Sequence, residues 1–365
     1  MSGALIELIS KGVQDTFLTS PTASSSFFKL RYTKHTNFSQ KPKQLEFVGG
    51  TVSNGGSSVI QLKSFGDLVN GLWLEGSGGD LVTNLSGTTF DLYIGGQLVD
   101  SQTFDYCADI WQIYLAETYS KSSTINNLVS QSDAGFFPLH FFFCDNGLFL
   151  PLIAMQYHEV EIRINWGSSV SSASDVKCFA NYIYLDTDER TEMVAKPQGM
   201  DILVTQVQKL PETATSGVFE LSALNHPVKS LYFGLAAEDA VIATDYWSFS
   251  SADLYLNGVD LLDSMSPSYF HTVQGYYHTQ YGVLNFDTTL KCPFYTRYFT
   301  YNFCLDATKY TPTGSCNFSR LDNAKLVLKD IVKGSDRTGD SLTLYAVNYN
   351  ILRVKQGMAG ILFGN

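Results

Sequence analysis

The sequence is poor in charge, and the charge it has is not gathered anywhere. Charged residues make up 16% of the 365 positions, and 24 lysines and arginines against 35 aspartates and glutamates leave a net charge of −11. There is no lysine or arginine run. Nucleic-acid binding draws most of its affinity from clustered cations meeting phosphates, so direct binding to a genome is not expected. Long apolar runs are also missing, and none approaches the roughly 20 residues that cross a bilayer. The opening MSGALIELISKGVQD has no basic stretch ahead of its apolar residues and no clear cleavage site, so it does not read as a secretory signal. Ser2 stands where a myristoylation signal needs glycine. Six cysteines occur, at Cys107, Cys144, Cys178, Cys292, Cys304 and Cys316, with no CxxC pair among them. Without an export signal, free thiols at an intracellular place of synthesis are the expectation.

Catalytic signatures are absent as well: there is no GxSxG, HExxH, P-loop or GxGxxG. What is left is weak. Cys292, Cys304 and Cys316 are evenly spaced by twelve, but zinc sites use short-range pairs, so buried small hydrophobes is the preferred reading. His271 and His278 lie seven apart, without the i, i+4 spacing or intervening carboxylate of a metal pair, and read as helix-surface histidines. Asp186, Asp188 and Glu189 lack the glycine and distal glutamate of a calcium loop and read as a solvated turn. Paired carboxylates for glycoside hydrolysis would meet only in space and are left open. Sequons stand at Asn37, Asn84 and Asn317 as permissive glycosylation sites. The expectation is no enzyme, no cofactor and no required metal.

What is abundant is aromatic and small: 25 Phe, 21 Tyr and 29 Gly, in a chain 44% hydrophobic. Short β-branched and aromatic runs alternate with Gly, Asn, Ser and Asp clusters, as in SSVIQLKSF, HEVEIRIN, VKSLYFGL and SLTLYAVNYNI. In HEVEIRIN, Val160, Ile162 and Ile164 share one face and Glu159, Glu161 and Arg163 the other, the pattern of a half-buried strand. The phrase DLYIGG (Asp91–Gly96) returns 162 residues later as DLYLNG (Asp253–Gly258). Each copy reads as strand, tight turn, strand, then an aromatic segment with helical spacing: Ile110, Tyr114 and Glu117 in the first, Phe270, Val273 and Tyr277 after Pro267 in the second. A repeat of half the chain length means two copies of one domain rather than a solenoid. The fold class is mainly β: two consecutive eight-stranded antiparallel jelly rolls with short helices in the loops. We place an N-terminal arm at 1–24, the first jelly roll at 25–190, a linker at 191–200 and the second jelly roll at 201–365. Leu5, Leu8 and Ile9 recur at helical spacing in the arm and suit docking on its own domain or on a neighbour.

Several phrases then resemble one family. LISKGVQDTFLT followed by FFKLRYTKHTNFS (with Phe27, Phe28, Asn37 and Phe38), YIYLDTDER (Asp186, Asp188, Arg190), NHPVKSLYF (Asn225, His226, Pro227), NFSRLDNAKL (Asn317, Phe318, Arg320, Asp322, Asn323) and NILRVKQGMAGILF look, in order, like segments of the major capsid proteins of large eukaryotic DNA viruses. The resemblance runs over essentially the whole chain. It implies a structural protein without catalysis: homotrimers forming pseudo-hexagonal capsomers that tile an icosahedral shell, assembled in the host cell, with reduced surface loops because the chain is shorter than many members. Implied partners are further copies of the chain, neighbouring capsomers, penton and minor capsid proteins, and an internal viral membrane beneath the base. The alternatives are a minor capsid or spike protein of the same fold, and a carbohydrate-binding or carbohydrate-cleaving jelly roll. Few charges and 14% aromatics further predict large apolar contacts between copies, with the first jelly roll of each against the second of the next, and weaker, salt-dependent contacts between trimers.

Overall fold

The structure, a computed structural model, describes residue 14 and residues 34–364 except 51, 77–84, 119, 123–134, 146, 171–175, 196–198, 211–216, 237–241, 281–285, 295–296 and 338–340. The arm residues Leu5, Leu8 and Ile9, together with Phe27, Phe28 and Asn84, lie outside the described residues. Phe38–Asn365 forms one compact unit.

Its first half holds eight principal strands: β1 (Phe38–Leu45), β2 (Ser57–Gln61), β3 (Leu68–Gly76), β4 (Thr89–Ile94), β5 (Gln97–Thr103), β6 (Phe136–Pro138), β7 (Val160–Asn165) and β8 (Val176–Leu185). They form two antiparallel sheets in the orders β1-β8-β3-β6 and β2-β7-β4-β5, the second extended at its edge by Phe47–Val48. The expected alternation holds: Val160, Ile162 and Ile164 are buried, while Glu161 and Arg163 face outward.

The second half repeats the plan with β9 (Met200–Lys209), β10 (Val218–Glu220), β11 (Pro227–Gly234), β12 (Ser251–Leu256), β13 (Val259–Met265), β14 (Tyr298–Asn302), β15 (Ala324–Lys329) and β16 (Thr343–Lys355). The sheet orders are β9-β16-β11-β14 and β10-β15-β12-β13, so each strand occupies the place of the strand eight before it. This is the double jelly roll. Residues Met358–Ile361 fold back along β16.

The repeat is visible residue by residue. Gly95–Gly96 and Asn257–Gly258 all have positive φ, so both hairpins close through the two-residue mirror-image turn that matches strand twist. Leu92 pairs with Asp100 in one hairpin and Leu254 with Leu262 in the other. The 162-residue register then slips by one at a bulge around Ser264, which has φ 50°. Beyond it, Tyr106 and Tyr114 correspond to Tyr269 and Tyr277. The facing sheets also align. A one-residue irregularity falls between Val69 and Leu72 in β3 and between Val228 and Ser230 in β11, opposite the equivalent stretch of β8 and β16. In that register Leu45, the last residue of β1, and Leu210, the residue just after β9, are both buried in the core.

Two local expectations are corrected. The aromatic segments are not plain α-helices: Tyr106–Leu115 and Tyr269–Val273 are wider π-helical turns, with α-helix only over Gln274–His278. The Asp186–Glu189 stretch is not a solvated turn. It opens a helix, Thr187–Ala195, that runs into the segment expected to be linker. The Asp186 carboxylate accepts the Thr187 N–H (2.7 Å), and two acidic residues in the first turn complement the helix dipole.

Candidate interaction surface

The two halves meet at a seam built from the first repeated unit. β5 and the helix Tyr106–Leu115 lie against the outer side of the β9-β16-β11-β14 sheet. The Val207 N–H of edge strand β9 donates to Asp100 Oδ1 (2.8 Å), and Gln206 donates its side-chain amide to the Val99 carbonyl. Thr103 Oγ1 bonds the Tyr345 hydroxyl (3.0 Å). Tyr114 donates its hydroxyl to the Tyr298 carbonyl (2.6 Å), with its ring 5.6 Å from that of Tyr232. At the turn, the Ala359 N–H donates to His158 Nδ1 (3.1 Å) and the Tyr157 N–H to the Gly357 carbonyl (2.9 Å). Tyr232, Tyr298, Tyr345, Val347 and Val354 therefore join the hydrophobic core of the first half. Asp100 is buried in this seam. Burial pushes its carboxyl up to about 7, against the opposing bonds from Val207 and Gln102.

Among the described residues, the outward positions of the second repeated unit have no such cover. Tyr114 is 0% exposed and its counterpart Tyr277 is 70% exposed; Ile113 is 3% exposed and Tyr276 is 76%. Val99 and Ile110 are buried, whereas Leu261 and Val273 are exposed. Four apolar positions that are interior on one hairpin–helix unit are surface on the other. The face equivalent to the one that holds Tyr114 lies in the first half. Trp73, Phe136 and Phe179 stand at the positions of Tyr232, Tyr298 and Tyr345; each is only part-buried, and Trp73 and Phe179 stack at 5.7 Å.

Several of the motif residues singled out in the sequence tie neighbouring loops and strands together. Pro227 pairs with Asn317, the Phe318 N–H donates to the His226 carbonyl (3.0 Å), and the His226 N–H donates to Ser319 Oγ (2.8 Å), which brings NHPV and NFSR together. Asn225 exchanges two hydrogen bonds with the Gln208 side chain. Asn257 Oδ1, at the second hairpin turn, accepts the N–H groups of Asp322 and Asn323, tying LDN to the repeated phrase. Arg190 reaches Asp67 (3.2 Å), whose other oxygen accepts the Leu185 N–H. Asn37, Phe38, Asp188, Asn317 and Arg320 are exposed and Phe318 is buried. All six cysteines are free thiols. Among the described residues, no three His, Cys, Asp or Glu side chains gather as metal ligands.

His271 corrects its reading as a surface residue. It is buried against Phe286 and edge-on to Tyr114, and burial lowers its pKa to about 4. Asp245 with Arg297 and Arg337 forms a buried ionic cluster that sequence reasoning missed, since its members are up to 92 residues apart. The seam aspartate Asp100 was missed for the same reason; in the mostly polar strand QLVDSQT a single aspartate gives no sequence signal of burial.

Comparison with known proteins matches this geometry. A family model described as large eukaryotic DNA virus major capsid protein matches residues 189–360, and one described as major capsid protein N-terminus matches 26–186. The major capsid protein of Pyramimonas orientalis virus is 30% identical, with all of both chains covered. This chain belongs to that capsid protein family. The major capsid protein of Paramecium bursaria Chlorella virus 1 is 29% identical over the full length of both. A chain of the PBCV-1 virus capsid quasi-atomic model superposes with a TM-score of 0.77 at 26% identity, covering 93% of this chain and 100% of its own. The Faustovirus major capsid protein shares the fold at 9% identity, with a TM-score of 0.70 over 96% of each chain. The capsid family thus replaces the carbohydrate-active alternative, and the relatives are structural proteins.

Proposed function

We propose that the chain is the building block of a viral shell. Three copies close into a trimer in which the second hairpin–helix unit of each copy packs on the first jelly roll of the next. The observation that carries this reading is the unequal burial of equivalent surfaces: Val99, Ile110, Ile113 and Tyr114 are covered within the chain, and Leu261, Val273, Tyr276 and Tyr277 are not. An apolar patch of this kind marks a site of association. A copy whose first half covers the second unit of its neighbour repeats the internal seam. Three such head-to-tail contacts close a ring with no free edge left to grow. Six similar jelly rolls then form a pseudo-hexagonal block, the shape that tiles the flat faces of an icosahedron. The protein would reside in the virion, with capsomers as its neighbours and penton and minor proteins at the gaps. Contacts between trimers should be weaker. At net charge −11 they should strengthen with salt, which screens repulsion beyond roughly 10 Å.

The test is light scattering of the purified chain during gentle denaturation of assembled particles. The expected first product has three times the 40.4 kDa chain mass. Monomer as the first and only released species would overturn the reading.

A further inference from the structure

A lysine is buried beside the seam with fewer partners than its charge needs. Lys229 stands on β11 at the irregularity between Val228 and Ser230 and is 4% exposed. An ammonium has three N–H groups to place. Among the described residues, that of Lys229 has one hydrogen bond, to the Lys309 carbonyl at 3.3 Å, and lies 5.8 Å from the centre of the Tyr349 ring. The carboxylates nearby are engaged elsewhere: Asp145 with Lys121, and Asp306 with Lys309, Thr308 and Gln280. Burial lowers the lysine pKa to about 8, so it keeps its charge at neutral pH.

Lys229 lines a cavity of about 60 Å³ between the two jelly rolls. The second half also contributes Thr308 and Tyr310, and the first half Gln102, His140 and Asp145. The Tyr310 hydroxyl and His140 Nε2 are buried without a hydrogen-bond partner among the described residues. Burial raises the pKa of the phenol and lowers that of the imidazole to about 3, so both groups are neutral. Each can donate, the histidine as its Nε2–H tautomer. A buried cation and two orphaned polar atoms cost stability until something polar meets them. The volume is ample for that, since one water needs roughly 10–15 Å³.

We propose that this cavity is a site for one small monovalent anion, a halide or a short carboxylate such as formate, held by Lys229 with Tyr310 and His140. The single charge follows from the walls. Lys229 is the one cation among the lining residues, and the Asp145 carboxylate on the opposite side repels a second negative charge. The small size follows from the volume. A bound anion gives the ammonium a charge-assisted hydrogen bond and links β11 and residues 307–310 to residues 140–145, so it pins one jelly roll to the other.

The test is thermal unfolding of the full chain at constant ionic strength, with sodium bromide replacing sodium gluconate, whose anion is too large for the cavity. At about 20-fold above its Kd, bromide should raise the melting temperature by about 2 °C over gluconate. Lys229→Met fills the same space without the charge and should show no difference between the two salts; Tyr310→Phe should show a reduced one. In crystals grown with bromide, anomalous density should lie within hydrogen-bonding reach of the Lys229 ammonium. Should Lys229→Met fail to fold, Tyr310→Phe and the anomalous map decide. Equal melting in the two salts overturns the proposal, even with bromide in the map, which is then an adventitious ion only. An equal shift in either variant, or a cavity holding only water in bromide crystals, also overturns it.

Discussion

The hairpin–helix units at Asp91–Leu115 and Asp253–His278 share a hydrogen-bonded frame and have opposite surroundings. Both turn on two positive-φ residues, and both lead into a π-helical turn. Only the first is roofed by the other half of the chain. Frame and surroundings are thus set by different residues. The repeated Asp-Leu-Tyr phrase and the turn residues specify the hairpin. The side chains that point away from each unit's own core decide what it meets next. The two aspartates that open the phrase illustrate this. Asp91 accepts Ser101 Oγ (2.6 Å) and an Asn165 amide (3.2 Å) near the surface. Asp253 is buried, accepts the bulged Ser264 N–H (2.7 Å) and is paired with Lys329 at 2.6 Å. Its desolvation is outweighed by Lys329 and Ser264, so its pKa lies below the ordinary value.

The largest expected effect breaks the comparison at its tyrosines. Tyr114→Ala removes a fully buried ring and its hydrogen bond and should cost about 3–5 kcal/mol of chain stability in denaturant unfolding. Tyr277→Ala should cost the isolated chain almost nothing, because the ring is exposed. Equal losses from the two variants would mean the units are not opposed in this way.

Next is pH. Asp100 titrates near 7 in the fold and near 4 when unfolded, so the folded state holds its proton more tightly. Stability from this group is full below about pH 4 and is lost as pH rises through about 7. Asp100→Asn should remove that decline and stabilise the chain at pH 8 by about 2–4 kcal/mol, read from melting temperatures across pH. Leu262 gives the open unit no such titration, so assembly should not follow this pH profile.

The turns give a smaller contrast. A Cβ on Gly95 would lie 2.4 Å from His158 Nδ1, within the seam, whereas Asn257 already carries a side chain at the same place. Gly95→Ala should destabilise by about 1–3 kcal/mol through this clash. Asn257→Ala should lose about 1 kcal/mol with the two N–H groups it caps. The smallest effect is expected at the aspartates. Lys329→Ala leaves Asp253 with Ser264 and Tyr255 and should cost little, since the lysine is half-exposed and water screens its charge. The loss should shrink as pH falls below the ordinary carboxylate range, because Asp253 is then protonated in both states. Double-mutant cycles would measure it.

Much of the fold was legible because local patterns carry it. Period-two alternation marked strands such as β7, the glycine and Asn-Gly pairs marked the hairpin turns, and the repeated phrase marked two domains of one kind. The helices after the hairpins were legible as helices but not as π-helical, since spacing alone does not separate 3.6 from wider turns when nearly every side chain is apolar. The helix at Thr187–Ala195 was missed because its first two turns are polar or charged and none of its residues is buried, so it has no apolar stripe to read. His271 was misplaced because a histidine's burial depends on Phe286 and Tyr114, one 15 residues away and the other on a different jelly roll.

By itself, then, the sequence determined the repeat, the strands and the turns, because these follow from the side chains of neighbouring residues and from backbone preferences within a few positions. Only the tertiary structure decided which copy of the repeated unit is interior and which is surface. That depends on Tyr114 meeting Tyr298, and Asp100 meeting Val207, across more than a hundred residues of chain. Burial at such distances is set by how two finished sheets fit, and no local pattern encodes it.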